Sequence, residues 1–106
     1  MAQFKFDELD DVVHGRVRLG TLAYLTTSGG IEVRELKKKL EVTDGNLAIH
    51  LRKLAQAGYI TLDRQGAGRT SATRINLTDA GRDAFVRYLD VLVALQKEVR
   101  KTPRPR

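Results

Sequence analysis

Asn46, His50, Arg52 and Lys53 fall within one run of eight residues, and Arg64 and Arg69 follow in a glycine-containing stretch. Amide, imidazole, guanidinium and ammonium groups at this density can hydrogen-bond phosphate oxygens and base edges. Bond-breaking chemistry has no comparable support. The two histidines, His14 and His50, are far apart, and neither lies in a segment suggesting a cleft where a nucleophile, a base and an orienting acid could meet. Their separation is not a metal-ligand spacing, and the absence of cysteine excludes thiolate sites, disulfides and thiol catalysis. Gly66-Ala67-Gly68 precedes no helical pattern and so is no nucleotide loop. The residues point to binding: no catalytic residue, no metal and no cofactor is expected.

The first group needs a helix to display it, and the spacing predicts one over 43–58. Thr43 is a good N-cap, since its hydroxyl can accept from a backbone N–H one turn on. Leu47, Leu51, Leu54 and Gly58 recur at four, three and four and share one side. Gly45, Ile49, Arg52, Lys53 and Gln56 fall on the other side, flanked by Asn46 and His50. Gly58 ends the helix where a left-handed residue costs least. A short helix buried on one side and polar on the other suits the major groove of duplex DNA.

Its neighbours strengthen that reading. Residues 33–40 form a second helix with Val33, Leu36 and Leu40 inward, joined by a tight connection to the 43–58 helix as a helix-turn-helix. Lys37, Lys38 and Lys39 lie on or beside its exposed face, either as a solvated surface or as phosphate contacts. Residues 59–77 alternate as a hairpin with a basic tip, carrying Arg64, Gln65, Gly68, Arg69, Thr70 and Arg74. Between residues 43 and 74, five Lys/Arg stand against two acids, an excess of three out of the chain's +6. Arginines on a hairpin directly after such a helix suit contacts to the minor groove or flanking phosphates.

Helices are also expected over 9–27 and 78–101, the second capped by Thr78, with a flexible basic tail over 102–106. Each carries more apolar surface than one small core requires. Val13, Val17 and Tyr24 on the first, with Phe85, Tyr88, Leu92, Leu95 and Val99 on the last, are expected to pair two copies of the chain. His14 falls at the surface or in that seam. His50 is a phosphate or base contact, or a half-buried packing residue.

At 106 residues, 42% hydrophobic and 30% charged, the chain is expected to fold as one domain, residues 1–106. Its pI of about 10.0 suggests a polyanionic partner. The acidic stretch with Asp7, Glu8, Asp10 and Asp11 should stay away from that partner. The start MAQFKFDELDD lacks a signal-peptide pattern, and no apolar run approaches the roughly 20 residues that span a bilayer. A soluble, cytoplasmic protein with no membrane partner is expected.

The order of elements, carried by RLGTLAYL, RELKKKLEVTDGNLAIHLRKLAQAGYI, the hairpin and INLTDAGRDAF, resembles small winged helix-turn-helix regulators of the MarR and ArsR type with a C-terminal dimerisation helix. The resemblance implies an α+β, mainly helical fold with a two- to three-stranded antiparallel sheet. It also implies a homodimer that binds double-stranded DNA sequence-specifically and controls transcription, most often as a repressor. Matched by position, base contacts fall on Thr43, Asp44, Gly45, Asn46, Ile49, His50 and Lys53, and wing contacts on residues 64–70. Such regulators often have arginine, serine or threonine where this chain has Ile49, which would read a thymine methyl group or simply pack. ArsR-type metal sensing by cysteines is excluded. Related regulators often bind a small-molecule effector between the dimer helices, but no residue here identifies one. The competing reading is a winged-helix protein-interaction module, against which the shared basicity of helix and wing argues.

Overall fold

The structure, a computed structural model, describes residues 6–105. After a short 3-10 turn at Phe6–Glu8 the order is α1 (Arg16–Ser28), β1 (Ile31–Glu32), α2 (Val33–Leu40), α3 (Asp44–Gln56), β2 (Ile60–Gln65), β3 (Ala72–Leu77) and α4 (Asp79–Lys101). The strands form one antiparallel sheet in the order β1-β3-β2. This is the mainly helical α+β fold with a small antiparallel sheet that the resemblance implies.

The core forms where the inward stripes of α1, α2 and α3 meet one face of the sheet. Leu22, Leu36, Leu47, Leu54 and Ile75 are completely buried there, with Ile31, Leu51 and Ile60 around them. In β2 and β3, directly paired residues share a face. Ile60, Leu62 and Arg64 therefore lie with Leu77, Ile75 and Thr73 on the core side, and Thr61 and Asp63 lie with Asn76 and Arg74 on the other.

The first long helix begins at Arg16, not at residue 9. Asp10 prevents the earlier start. Its Oδ1 accepts from the backbone N–H groups of Val12 at 2.8 Å and Val13 at 3.2 Å, a side-chain-held turn that competes with helix. Arg18 Nε then donates to the Val12 carbonyl at 2.7 Å, folding the turn back onto α1. Val13 thus enters the core from a loop.

Helix α3 is closed at both ends by local chemistry. Thr43 Oγ1 accepts from Asn46 N–H at 3.1 Å. At the other end Gly58, at φ +80°, donates to the Ala55 carbonyl and Tyr59 donates to the Leu54 carbonyl, both at 3.0 Å. This pair of bonds requires a left-handed residue at Gly58, which glycine supplies without strain.

Helix α4 has 23 residues, about 34 Å at 1.5 Å per residue. Its first turns pack on the core through Gly81, Ala84, Phe85 and Tyr88, and no residue from Leu89 onward is buried. The radius of gyration is accordingly 16.6 Å, against about 13 Å for a compact chain of this length.

That projection changes the expected pairing surface. Val13, Val17, Phe85 and Tyr88 are 0%, 8%, 6% and 3% exposed, so they belong to the chain's own core and cannot meet a second copy. Tyr24 is half-buried, with the Lys39 ammonium 5.6 Å from its ring centre. Leu92 packs half-buried against the core, Leu95 is half-buried, and Val99 is exposed. The exposed apolar residues of α4 include Val86, Leu89 and Val93, at spacings of three and four. A wide apolar arc on α4 leaves part of itself outside the chain's own core. Its width does not show which edge the core takes.

Candidate nucleic-acid interface

Leu47, Leu51 and Leu54 fill the core side of α3, so its opposite face is left to solvent. Gly45, Asn46, Arg52 and Lys53 are exposed there, and Ile49 is 53% exposed among them. Thr43 and Asp44 stand exposed at the helix start. Asp44 Oδ1 is 3.1 Å from Lys37 Nζ, an exposed pair that ties α2 to the first turn of α3. Screening by water limits such a pair to well under about 1 kcal/mol, so its use is orientation.

His50 is turned away from this face. It is half-buried, and its Nδ1 accepts from Arg18 Nη1 at 2.7 Å. An imidazole that accepts through Nδ1 is neutral, with its proton on Nε2. Burial, then the Arg18 guanidinium and the Lys53 ammonium, hold its pKa below the ordinary 6.5. His50 therefore joins α3 to α1 through a neutral imidazole.

The depressed pKa sets the sign of a pH effect. The unfolded chain takes up a proton on His50 at higher pH than the folded chain does. Stability from the Arg18–His50 bond is thus complete above about pH 6.5 and lost as pH falls toward the lowered folded value. In urea unfolding between about pH 7.5 and 5, the His50→Gln variant should lose less stability than the parent, because its amide oxygen still accepts and does not titrate. Parallel pH profiles for the two proteins would refute the assignment.

The wing is the β2–β3 hairpin. Arg64, Gln65, Gly68, Arg69 and Thr70 are all exposed around its tip, where residues Gly68–Thr70 form a 3-10 turn. Arg64 lies on the face turned toward α3 and donates to Ser71 Oγ at 3.3 Å. Arg74, expected as a wing contact, lies on β3 on the opposite face, the register partner of Asp63 and Glu32, and donates to the Gly30 carbonyl at 3.1 Å, anchoring the entry to β1. The reason is strand alternation: ten residues on from Arg64, across a turn, composition does not tell which face an arginine takes. Between α3 and the wing lies an open groove of about 540 Å³, lined by Val33, Ala48, Leu51, Ala55 and Leu62 with Arg52 at its edge.

Several supporting residues give no signal in the sequence. Tyr59 Oη donates to Asp10 Oδ2 at 2.6 Å, and this bond raises the Tyr59 pKa; the same carboxylate holds the Val12–Val13 turn. His14 Nδ1 and the Tyr88 hydroxyl share a hydrogen bond of 2.5 Å. The 9–15 segment is thereby fastened to α1, to the α3–β2 junction and to α4. Gly81 alone could have been noticed, as a glycine inside a helical pattern that must have a packing reason. The acidic residues Asp7, Glu8, Asp10 and Asp90 gather at a groove between the N-terminal segment and α4, apart from α3 and the wing. Among the described residues no group of three or more His, Asp or Glu is arranged to hold a metal, and no helix is long and apolar enough to cross a membrane.

Comparison with known proteins places this geometry. A family model for the winged helix DNA-binding domain matches residues 17–96. An uncharacterized protein of Methanocaldococcus jannaschii is 36% identical over 83 residues, which cover 78% of this chain and 90% of the relative. Among solved structures, the transcriptional regulator homologue protein from Pyrococcus horikoshii OT3 is 26% identical with a TM-score of 0.73, covering 89% of this chain and 98% of that one. A MarR family transcriptional regulator from Streptomyces coelicolor, solved in complex with DNA, superposes with a TM-score of 0.66 at 21% identity, covering 93% and 67%. That last likeness is one of fold. Matched through α1, the helix-turn-helix, the wing and most of α4, the chain belongs to the winged-helix DNA-binding domain family.

Proposed function

We propose that this protein is a homodimeric, sequence-specific double-stranded DNA-binding regulator of transcription, acting as a repressor by occupying promoter DNA. The observation that carries the reading is an exposed polar and cationic set, Asn46, Arg52 and Lys53 on α3 and Arg64 and Arg69 on the wing, with the helix's apolar side used by the core. The fold is shared with a regulator solved in complex with DNA, which supports the same assignment. Asn46 reads an adenine edge, Arg52 and Lys53 take guanine or phosphates, and Arg64 and Arg69 anchor the wing.

Pairing rests on α4. It projects from the domain with Val86, Leu89, Val93 and Val99 exposed along its length, a surface that a second α4 would cover. Two such subunits would present their α3 helices to successive major grooves about 34 Å apart on a near-palindromic site.

The test is a salt titration of affinity for duplex DNA. Four cationic side chains per subunit amount to about eight phosphate contacts per dimer, so affinity should fall about 10³- to 10⁵-fold between 50 and 200 mM salt. A flat dependence would favour the alternative, a protein-interaction module whose polar α3 face meets another protein.

A further inference from the structure

Among the described residues Ile49 is not part of the core cluster or of the residues packed against it. It lies midway along α3, 53% exposed, while the core side of that helix is filled by Leu47, Leu51 and Leu54. Arg52 and Lys53 follow on the same exposed surface, and Asn46 precedes it by three residues. One turn earlier is Gly45, where a Cβ would meet nothing within 4 Å. The surface is thus a bare stretch of backbone followed by a branched apolar knob, within a polar and cationic border.

We infer that Ile49 is a specificity-determining residue that reads the C5-methyl group of thymine in the major groove. The inference rests on the DNA-binding reading above. The border of Arg52, Lys53 and the wing arginines complements a polyanion, which commits the surface to duplex nucleic acid. Along the major-groove edges of the bases, hydrogen-bonding groups dominate and the thymine methyl is the one apolar projection. Cytosine at that place lacks the methyl group and offers Ile49 no apolar projection to pack against.

The rest of the surface extends this choice. Residues three apart on a helix lie about 5–6 Å apart at Cβ, and successive base pairs are spaced by about 3.4 Å. Asn46 and Ile49 therefore address the same or neighbouring base pairs. An amide suited to adenine beside an apolar knob suited to thymine selects an A·T-rich centre for each half-site. Gly45 has no side chain to hold the helix off the groove floor at that point.

The experiment begins with a duplex selected by the full chain from a random-sequence library. Each thymine of that duplex is then replaced in turn by deoxyuridine, which removes only the methyl group. Uracil at one position per half-site should weaken binding by the parent protein about three- to tenfold. The Ile49→Ala variant, altered only at an exposed position, should bind the thymine duplex correspondingly less well and lose nothing further on uracil substitution. Salt-sensitive binding with no uracil effect at any position would overturn the inference and leave the DNA-binding reading standing. Failure of the parent to bind any library duplex at low salt would overturn both.

Discussion

Replacing Leu89 and Val93 together by aspartate should yield a folded monomer whose affinity for duplex DNA is at least about 100-fold below that of the parent. Both side chains are exposed in the single chain, so the domain loses no core contact by the change. Circular dichroism and the thermal transition of the domain should persist. In a paired assembly the same positions would bury four new carboxylates in an apolar seam, and charges without partners there cost several kcal/mol each. The loss of affinity follows from valency. A dimer whose first α3 is seated presents its second at millimolar effective concentration, a gain of about 10²–10⁴ that a monomer forfeits. Sedimentation equilibrium at micromolar protein and fluorescence anisotropy with a labelled duplex measure the two halves of the prediction. The paired-helix account fails if the parent already sediments as one subunit, or if the double variant remains a dimer.

The second large effect is on stability. Gly81→Ala should destabilise the fold by about 2–3 kcal/mol, lowering its melting temperature by about 10–20 °C for a domain of this size. A Cβ at this position would lie 2.8 Å from the Tyr59 carbonyl carbon, closer still to its oxygen, and 3.0 Å from Leu77 Cδ1. The Tyr59 backbone cannot retreat cheaply. Its carbonyl accepts from Thr78 N–H at 3.1 Å, and the neighbouring Gly58 carbonyl accepts from Thr78 Oγ1 at 2.6 Å. The same hydroxyl accepts from Gly81 N–H at 3.0 Å, so one threonine clamps the end of α3 to the start of α4. Alanine normally favours a helix by about 1 kcal/mol over glycine, which makes the sign of the result decisive. An alanine variant as stable as the parent in urea would mean that α4 does not sit this close to Tyr59.

These two cases also mark where the sequence was legible. The α3 helix could be read because its cap, its apolar spacing and its glycine stop are all local signals. Thr43 bonds its own helix, Gly58 adopts its own φ, and Leu47, Leu51 and Leu54 share a face by spacing alone. The fold class follows from the order of such segments. The outward placement of Asn46, Arg52 and Lys53 follows from the same periodicity.

Residues 9–15 misled because Val13 and Val17 keep a helical spacing across a turn. Only the Asp10 bonds and the return of Arg18 to Val12 break that pattern, and both depend on the folded neighbourhood. The face that Arg74 takes is assigned by the β2–β3 register, which its charge does not encode. On α4 the apolar arc from Phe85 to Val99 is wider than the side the domain's own core covers. Its division was not visible: Phe85 and Tyr88 went to the domain, while Val86, Leu89 and Val93 were left outside.

By itself, then, the sequence determined the local elements, the polar face of α3 and the surplus of apolar surface, because each depends on residues within a few turns of one another. The tertiary structure alone decided which stripe is core and which is free, that His50 faces Arg18, and that Gly81 must lie on Tyr59. Those outcomes depend on contacts between segments distant in the chain, where packing selects among faces that periodicity leaves equivalent.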